Sequence, residues 1–175
     1  GVFPDNFSEL STEERIEFLS KVHTTLPVDE VKDEMARKTL ESVHAMRKIQ
    51  ERNGERGANR YIISKCGSVE NLMEVYALLR LCGWEKPDAD IVPLFETVDD
   101  LEACGAVMNF LYNHPVYKKH LSRRNDKQYV MLGFSDGTKD GGYLMANWSI
   151  YKSKEELSKI SRANGIKVAF FDGRG

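Results

Sequence analysis

Two carboxylates, Glu96 and Asp136, stand at the ends of short runs rich in β-branched and aromatic residues, DIVPLFE and QYVMLGF. Lys139 lies three positions after Asp136, and Arg174 follows a further run of the same kind, IKVAFFD. Carboxylates in such positions suit a hard divalent cation, because Mg²⁺ is held by one or two carboxylates with water and substrate oxygens completing its shell. Lysine and arginine suit phosphate or carboxylate, arginine in a bidentate way. Ser64, Lys65, Thr97, Ser135 and Asp172 occupy equivalent places after their own runs. If the runs are parallel strands, all these residues share one rim, the side on which parallel αβ folds bind ligands. The set describes a site for an anionic, phosphorylated substrate with a metal.

Each residue also has a plainer reading. Glu96 can sit at the start of a helix and Asp136 can cap the next one, where unpaired amides favour negative side chains. Lys139 can be an exposed first-turn cation and Arg174 a solvated one. The segment GFSDGTKDGG is glycine-rich after a run of strand character, yet it is neither the dinucleotide fingerprint nor a P-loop, which needs Gly-Lys followed by Ser or Thr. His23, His44, His114 and His120 have no metal-ligand spacing, and neither Ser64 nor Ser135 lies in a nucleophile elbow.

The elements that must position these residues follow from pattern. Ser11 with Glu14 is a capping-box signature ahead of a short helix, and Val31, Met35, Val43, Met46 and Ile49 recur at helical spacing between Val28 and about Arg52, with Gly54 as a stop. The spacing predicts an N-terminal helical segment over residues 1–59. From residue 60 to 175 the pattern becomes strand-helix, repeated: RYIIS, DIVPLFE, QYVMLGF and IKVAFFD as strands, with helices over about 68–81, 97–113 continuing to about 123, and 138–164. Near-continuous apolar strands alternating with helices imply a parallel sheet covered by helices. An open doubly wound sheet and an arc of a (β/α) barrel both satisfy the pattern. The chain stops at Gly173-Arg174-Gly175, where a loop and covering helix should follow a parallel strand, so the sequence is expected to be an internal part of a longer protein.

Bulk properties narrow the function classes. The 175 residues suffice for a core without disulfides or a structural metal, and 25 Lys plus Arg against 27 Asp plus Glu leave no basic excess for nucleic-acid binding. Cys66, Cys82 and Cys104 form no CxxC pair and read as reduced, buried thiols. No apolar run reaches bilayer-spanning length and the N-terminus is unlike a signal peptide, so no membrane role and a cytoplasmic location are expected.

The literal residues carry more than their pattern. VMLGFSDGTKDGGYLMANW resembles the phosphoenolpyruvate carboxylase motif V-M-[IL]-G-Y-S-D-S-x-K-D-[AG]-G with its following tryptophan, here Trp148. IVPLFETVDDLEA is similar to that family's V-x-P-L-F-E-T-x-D-D-L segment, YIIS to its Y-[IV]-I-S strand, and VAFFDGRG to the start of its F-H-G-R-G-G loop. The resemblance implies part of a (β/α)8 TIM-type barrel, about four parallel strands with helices, preceded by N-terminal helices. By position it implies that Glu96 and Asp136 bind metal, Mg²⁺ or Mn²⁺, and that Lys139 and Arg174 are catalytic and substrate-binding cations. The implied partners are phosphoenolpyruvate and bicarbonate, joined to give oxaloacetate and phosphate in a homo-oligomeric, tetrameric parent.

Several positions depart from the family pattern. Phe134 stands for tyrosine, Gly137 and Thr138 stand between Asp136 and Lys139, and Asp172 stands where the family has histidine, adding negative charge beside Arg174. The chain also has no T-x-H-P-T match, the motif that carries the family's catalytic histidine, so the 175 residues alone are expected to be inactive. The alternative from another class is a non-catalytic phosphate- or metal-binding α/β module.

Overall fold

A computed structural model describes residues 2–173, leaving aside the side chains of Gly137 and Asp140. Contacts divide the chain into two compact units, the first containing residues up to 59 together with 73–89, the second residues 60–72 together with those from 90 onward.

In the first unit, Ser11 and Glu14 form the reciprocal capping box and open α1 (Thr12–Ser20). A 3-10 turn at Val28–Glu30 precedes α2 (Glu34–Asn53). The helix starts later than periodicity suggests because Asp33 caps it, its carboxylate accepting from the Ala36 amide at 2.7 Å. Leu40, Val43 and Met46 are its buried residues, whereas Met35 and Ile49, apolar at matching spacing, are exposed. Arg47 and Gln50 of α2 hold the chain near residues 82–88, donating to the carbonyls of Gly83 at 3.2 Å and Asp88 at 3.0 Å.

The second unit is built on four strands: β1 (Arg60–Ile63), β2 (Asp90–Phe95), β3 (Lys127–Gly133) and β4 (Lys167–Gly173). All neighbours are parallel and the spatial order is the chain order. A doubly wound sheet reverses its strand order at a switch point; this sheet does not. It is therefore the singly wound arrangement of a (β/α)8-type barrel, of which these four strands form a part. Along the chain between the strands come α3 (Val69–Leu81), whose residues from 73 onward belong to the first unit, and α4 (Val98–Asn113), α5 (Pro115–Arg123) and α6 (Ser135–Ala163) of the second.

Alternation along β3 shows how the sheet is covered. Gln128, Val130 and Leu132 are buried, while Lys127, Tyr129 and Met131 on the opposite face are half-buried. Gln128 accepts from the Tyr117 hydroxyl of α5 at 3.0 Å and donates to the Ile91 carbonyl at 2.8 Å, tying helix to sheet. Helix α6 is fixed to α4 by the Ser153 hydroxyl, which donates to the Leu101 carbonyl at 2.8 Å. At the mouth of β2, Asp90 pairs with Arg124 at 2.7 Å, with the two side chains only 8% and 9% exposed.

Helix α6 begins at Ser135, three positions ahead of the sequence expectation. The helix is broken at Gly142, whose φ of 78° and ψ of 167° are non-helical. Only glycine takes that conformation without penalty. The break isolates a short first helical segment that carries Asp136 and Lys139. Cys66, Cys82 and Cys104 are free thiols and buried, as composition suggests.

Candidate active site at the strand ends

Glu96 immediately follows β2, outside the helix that comes next. Thr97 caps α4, its hydroxyl accepting from the Asp100 amide while the Asp100 carboxylate accepts from the Thr97 amide, both at 3.1 Å. The α4 capping box is thus closed without Glu96. Its Oε1 instead accepts from the backbone N–H of Lys65 at 2.7 Å, across from the end of β1. Lys65 holds a left-handed backbone, φ 50°, in presenting that amide.

The opposite side of Glu96 rests on β3. A β-carbon on Gly133 would stand 2.5 Å from the Glu96 Cβ and 2.8 Å from its Cα. Only a residue without a side chain lets the ends of β2 and β3 approach this closely. Sequence reasoning passed over Gly133, because the requirement arises from a contact between strands and leaves no local signature.

Asp136 lies within the first turn of α6 and does not cap it, since the N-cap position, Phe134, makes no side-chain capping bond. Its Oδ1 accepts from Lys139 Nζ at 3.1 Å. That hydrogen bond and the lysine's charge hold the Asp136 carboxyl below its ordinary value, with hydrogen bonding to Glu96 and the charge of Lys65 adding to the effect. Asp136 and Glu96 are therefore immediate neighbours. Neither carboxylate stands at the N-cap of the adjoining helix.

Two carboxyls in hydrogen-bond reach repel one another once both are ionised, unless a positive charge or proton lies with them. Lys139 and Lys65 offset part of that repulsion, and Asp136 and Lys139 are exposed. Among the described residues, no group of three or more His, Cys, Asp or Glu side chains is arranged to hold a metal ion. A two-carboxylate donor set nevertheless fits Mg²⁺ or Mn²⁺, which fill their remaining positions with water and substrate oxygens. One oxygen of each carboxyl accepts from a protein donor, Glu96 Oε1 from the Lys65 amide and Asp136 Oδ1 from Lys139 Nζ.

The other rim residues divide clearly. Arg174 lies outside the described residues. Asp172 is paired in register with Leu132, on the face opposite that of Gly133 and Gly173, and its Oδ1 accepts from Lys154 Nζ at 2.7 Å. The charge that replaces the expected histidine is thus balanced by a lysine from α6, a partner that the sequence gives no means of choosing. The end of β3 is fastened to that of β4 by the Phe134 amide, which donates to the Gly173 carbonyl at 3.0 Å.

Comparison with known proteins places these features in context. A family model described as phosphoenolpyruvate carboxylase matches residues 1–175. Proteins named phosphoenolpyruvate carboxylase from Nitrosomonas europaea and Corynebacterium diphtheriae are each 37% identical, over 97% of this chain and 19% and 20% of their own lengths. One from Nitrosomonas eutropha is 36% identical over 97% of this chain and 19% of its own length. The chain thus spans about a fifth of the length of these curated relatives.

Proposed function

The chain belongs to the phosphoenolpyruvate carboxylase family, and from that premise we propose that it supplies a metal-binding carboxylate pair and a phosphate-binding lysine to an enzyme converting phosphoenolpyruvate and bicarbonate to oxaloacetate and phosphate. One observation carries the reading. Glu96 and Asp136 follow the ends of neighbouring parallel strands, near enough for the Glu96 side chain to bear on the Asp136 carboxyl, with Lys139 3.1 Å from Asp136. Isolated capping or surface residues have no reason to converge in this way.

The chemistry asks for such a site. The phosphoryl group leaves the enol oxygen of phosphoenolpyruvate for a bicarbonate oxygen, giving carboxyphosphate and the enolate of pyruvate. Carboxyphosphate then breaks to carbon dioxide and phosphate, and the enolate carbon forms the new bond to carbon dioxide. Charge builds on phosphate oxygens in the first step and on the enolate oxygen afterwards. A divalent cation held by Glu96 and Asp136 would supply Lewis acidity toward those oxygens. Lys139, exposed and paired with Asp136, would turn its ammonium onto a phosphate oxygen. The family resemblance gives Arg174 the same duty. Lys65 holds Glu96 through its amide, fixing the direction of that carboxylate. The reading carries with it a cytoplasmic, homo-oligomeric parent.

The test is a graft. The 175 residues replace the matching segment of the Nitrosomonas europaea relative, and oxaloacetate is followed by coupled reduction to malate. The reading expects turnover dependent on Mg²⁺ or Mn²⁺ that is lost in Lys139→Ala. A folded graft whose turnover survives Lys139→Ala and Asp136→Asn sinks it.

A further inference from the structure

The first unit holds a charged recess that is separate from the carboxylate pair. It encloses about 300 Å³ and is lined by His23, Thr25, Arg80, Gly83 and Glu85. Arg80, in the last turn of α3, is only 6% exposed. Its partners are a carbonyl and two rings. Nη1 donates to the Ser20 carbonyl at 3.2 Å, Nη2 meets the His23 ring, and the guanidinium lies 5.6 Å from the centroid of the Tyr76 ring. Among the described residues, nothing hydrogen-bonds its buried Nε. Among the described residues, none of these contacts is a carboxylate.

A guanidinium stays charged at any physiological pH, and a charge withdrawn from water without a counter-charge is costly. A second cation lies near, with the Glu51 carboxylate 3.8 Å from its Nε. Arg47 of α2 reaches the turn that lines the recess, with Nη1 donating to the carbonyls of Cys82 at 3.4 Å and Gly83 at 3.2 Å. Thr25 contributes a hydroxyl at the wall. Glu85 is the acid at the recess, and it is exposed.

We propose that this recess binds a small oxyanion, a carboxylate or phosphate, with Arg80 as its counter-charge and Thr25 as a hydrogen-bond donor. The bound group neutralises Arg80, and the volume admits a molecule of a few heavy atoms beyond the anionic head. Glu85 at the rim disfavours multiply charged anions and sets the strength of binding. The site shares no residue with Glu96, Asp136 or Lys139.

The experiment is thermal melting and calorimetric titration of the chain with inorganic phosphate, acetate and succinate, each against sodium chloride at equal ionic strength. A ligand of the folded state raises the melting temperature with its concentration. We expect such a rise for phosphate or a carboxylate, absent in Arg80→Met, unchanged in Lys139→Ala, and strengthened severalfold in Glu85→Gln. Phosphate alone or carboxylate alone as ligand fixes the class of anion, and either supports the site. No anion-specific rise in the wild-type chain overturns it, as does a rise that Arg80→Met retains. Should Arg80→Met fail to fold, Glu85→Gln and Thr25→Val decide: affinities unchanged in both overturn the site.

Discussion

Gly133 and Glu96 approach so closely that a β-carbon on the glycine would stand 2.5 Å from that of the glutamate. The contact fixes where the end of β2 lies against the end of β3, and hence where the Glu96 carboxyl meets that of Asp136. Gly133→Ala forces the two strand ends apart. It is expected to lower stability by about 1–3 kcal/mol, the usual cost of overpacking, and to weaken divalent-cation binding. Denaturant melts and a Mn²⁺ titration of the variant check this; wild-type values in both contradict the positioning role.

Lys139 holds the Asp136 carboxyl below its ordinary value of 3.8. Because the folded value is the depressed one, the favourable contribution is complete above the unfolded value and is lost as pH falls through the folded one. Lys139→Ala should therefore move the Asp136 titration upward, toward the ordinary value, read from carbon chemical shifts of its carboxyl. An unmoved midpoint dissolves the Asp136–Lys139 pair.

β2 was legible because a strand covered on both faces must be apolar nearly throughout, as DIVPLFE is. The capping box at Ser11 is local, so four residues suffice to announce it, whereas the one at Thr97 emerged only from the structure. The start of α6 was not legible. DGTKDGG has the composition of a loop, and only the structure shows the helix running from Ser135 with its break confined to Gly142. Ambiguity between two sheet topologies ended only with strand order, which is a matter of long-range pairing. The carboxylates were found by their place after strands, but Gly133, the Lys65 amide and the Lys154 partner of Asp172 were not. Each acts across space between elements, and nothing in its neighbours along the chain reports that. Arg80 is hidden for the same reason, since a lysine-like cation in the last turn of a helix ordinarily points to water.

Burial pushes the thiol of Cys66 up to about 12 and those of Cys82 and Cys104 up to about 11. The thiolate is the reacting form, so at about pH 8 the native chain should be almost inert to iodoacetamide. All three thiols should label once it is unfolded. Mass spectrometry of native and denatured samples reads the difference; rapid native labelling at any of them contradicts its burial.

Asp90 and Arg124 form an ion pair largely withdrawn from water. Removing one partner strands the other's charge, so Arg124→Met is expected to cost about 3–5 kcal/mol. The double variant Asp90→Leu with Arg124→Met should recover much of the loss. Urea melts of the two variants decide; equal losses would show that Asp90 is not the charge being left uncompensated.

Electron paramagnetic resonance titration of the chain with Mn²⁺ tests most directly whether Glu96 and Asp136 act together as a cation site. The wild-type chain is expected to bind one ion at this rim. Asp136→Asn and Glu96→Gln keep the shape of each side chain and remove its charge, so each should weaken binding by at least about tenfold while leaving the melting temperature near that of the wild type. Wild-type Mn²⁺ affinity in both folded variants would show that the two carboxylates, though adjacent, are not the metal site.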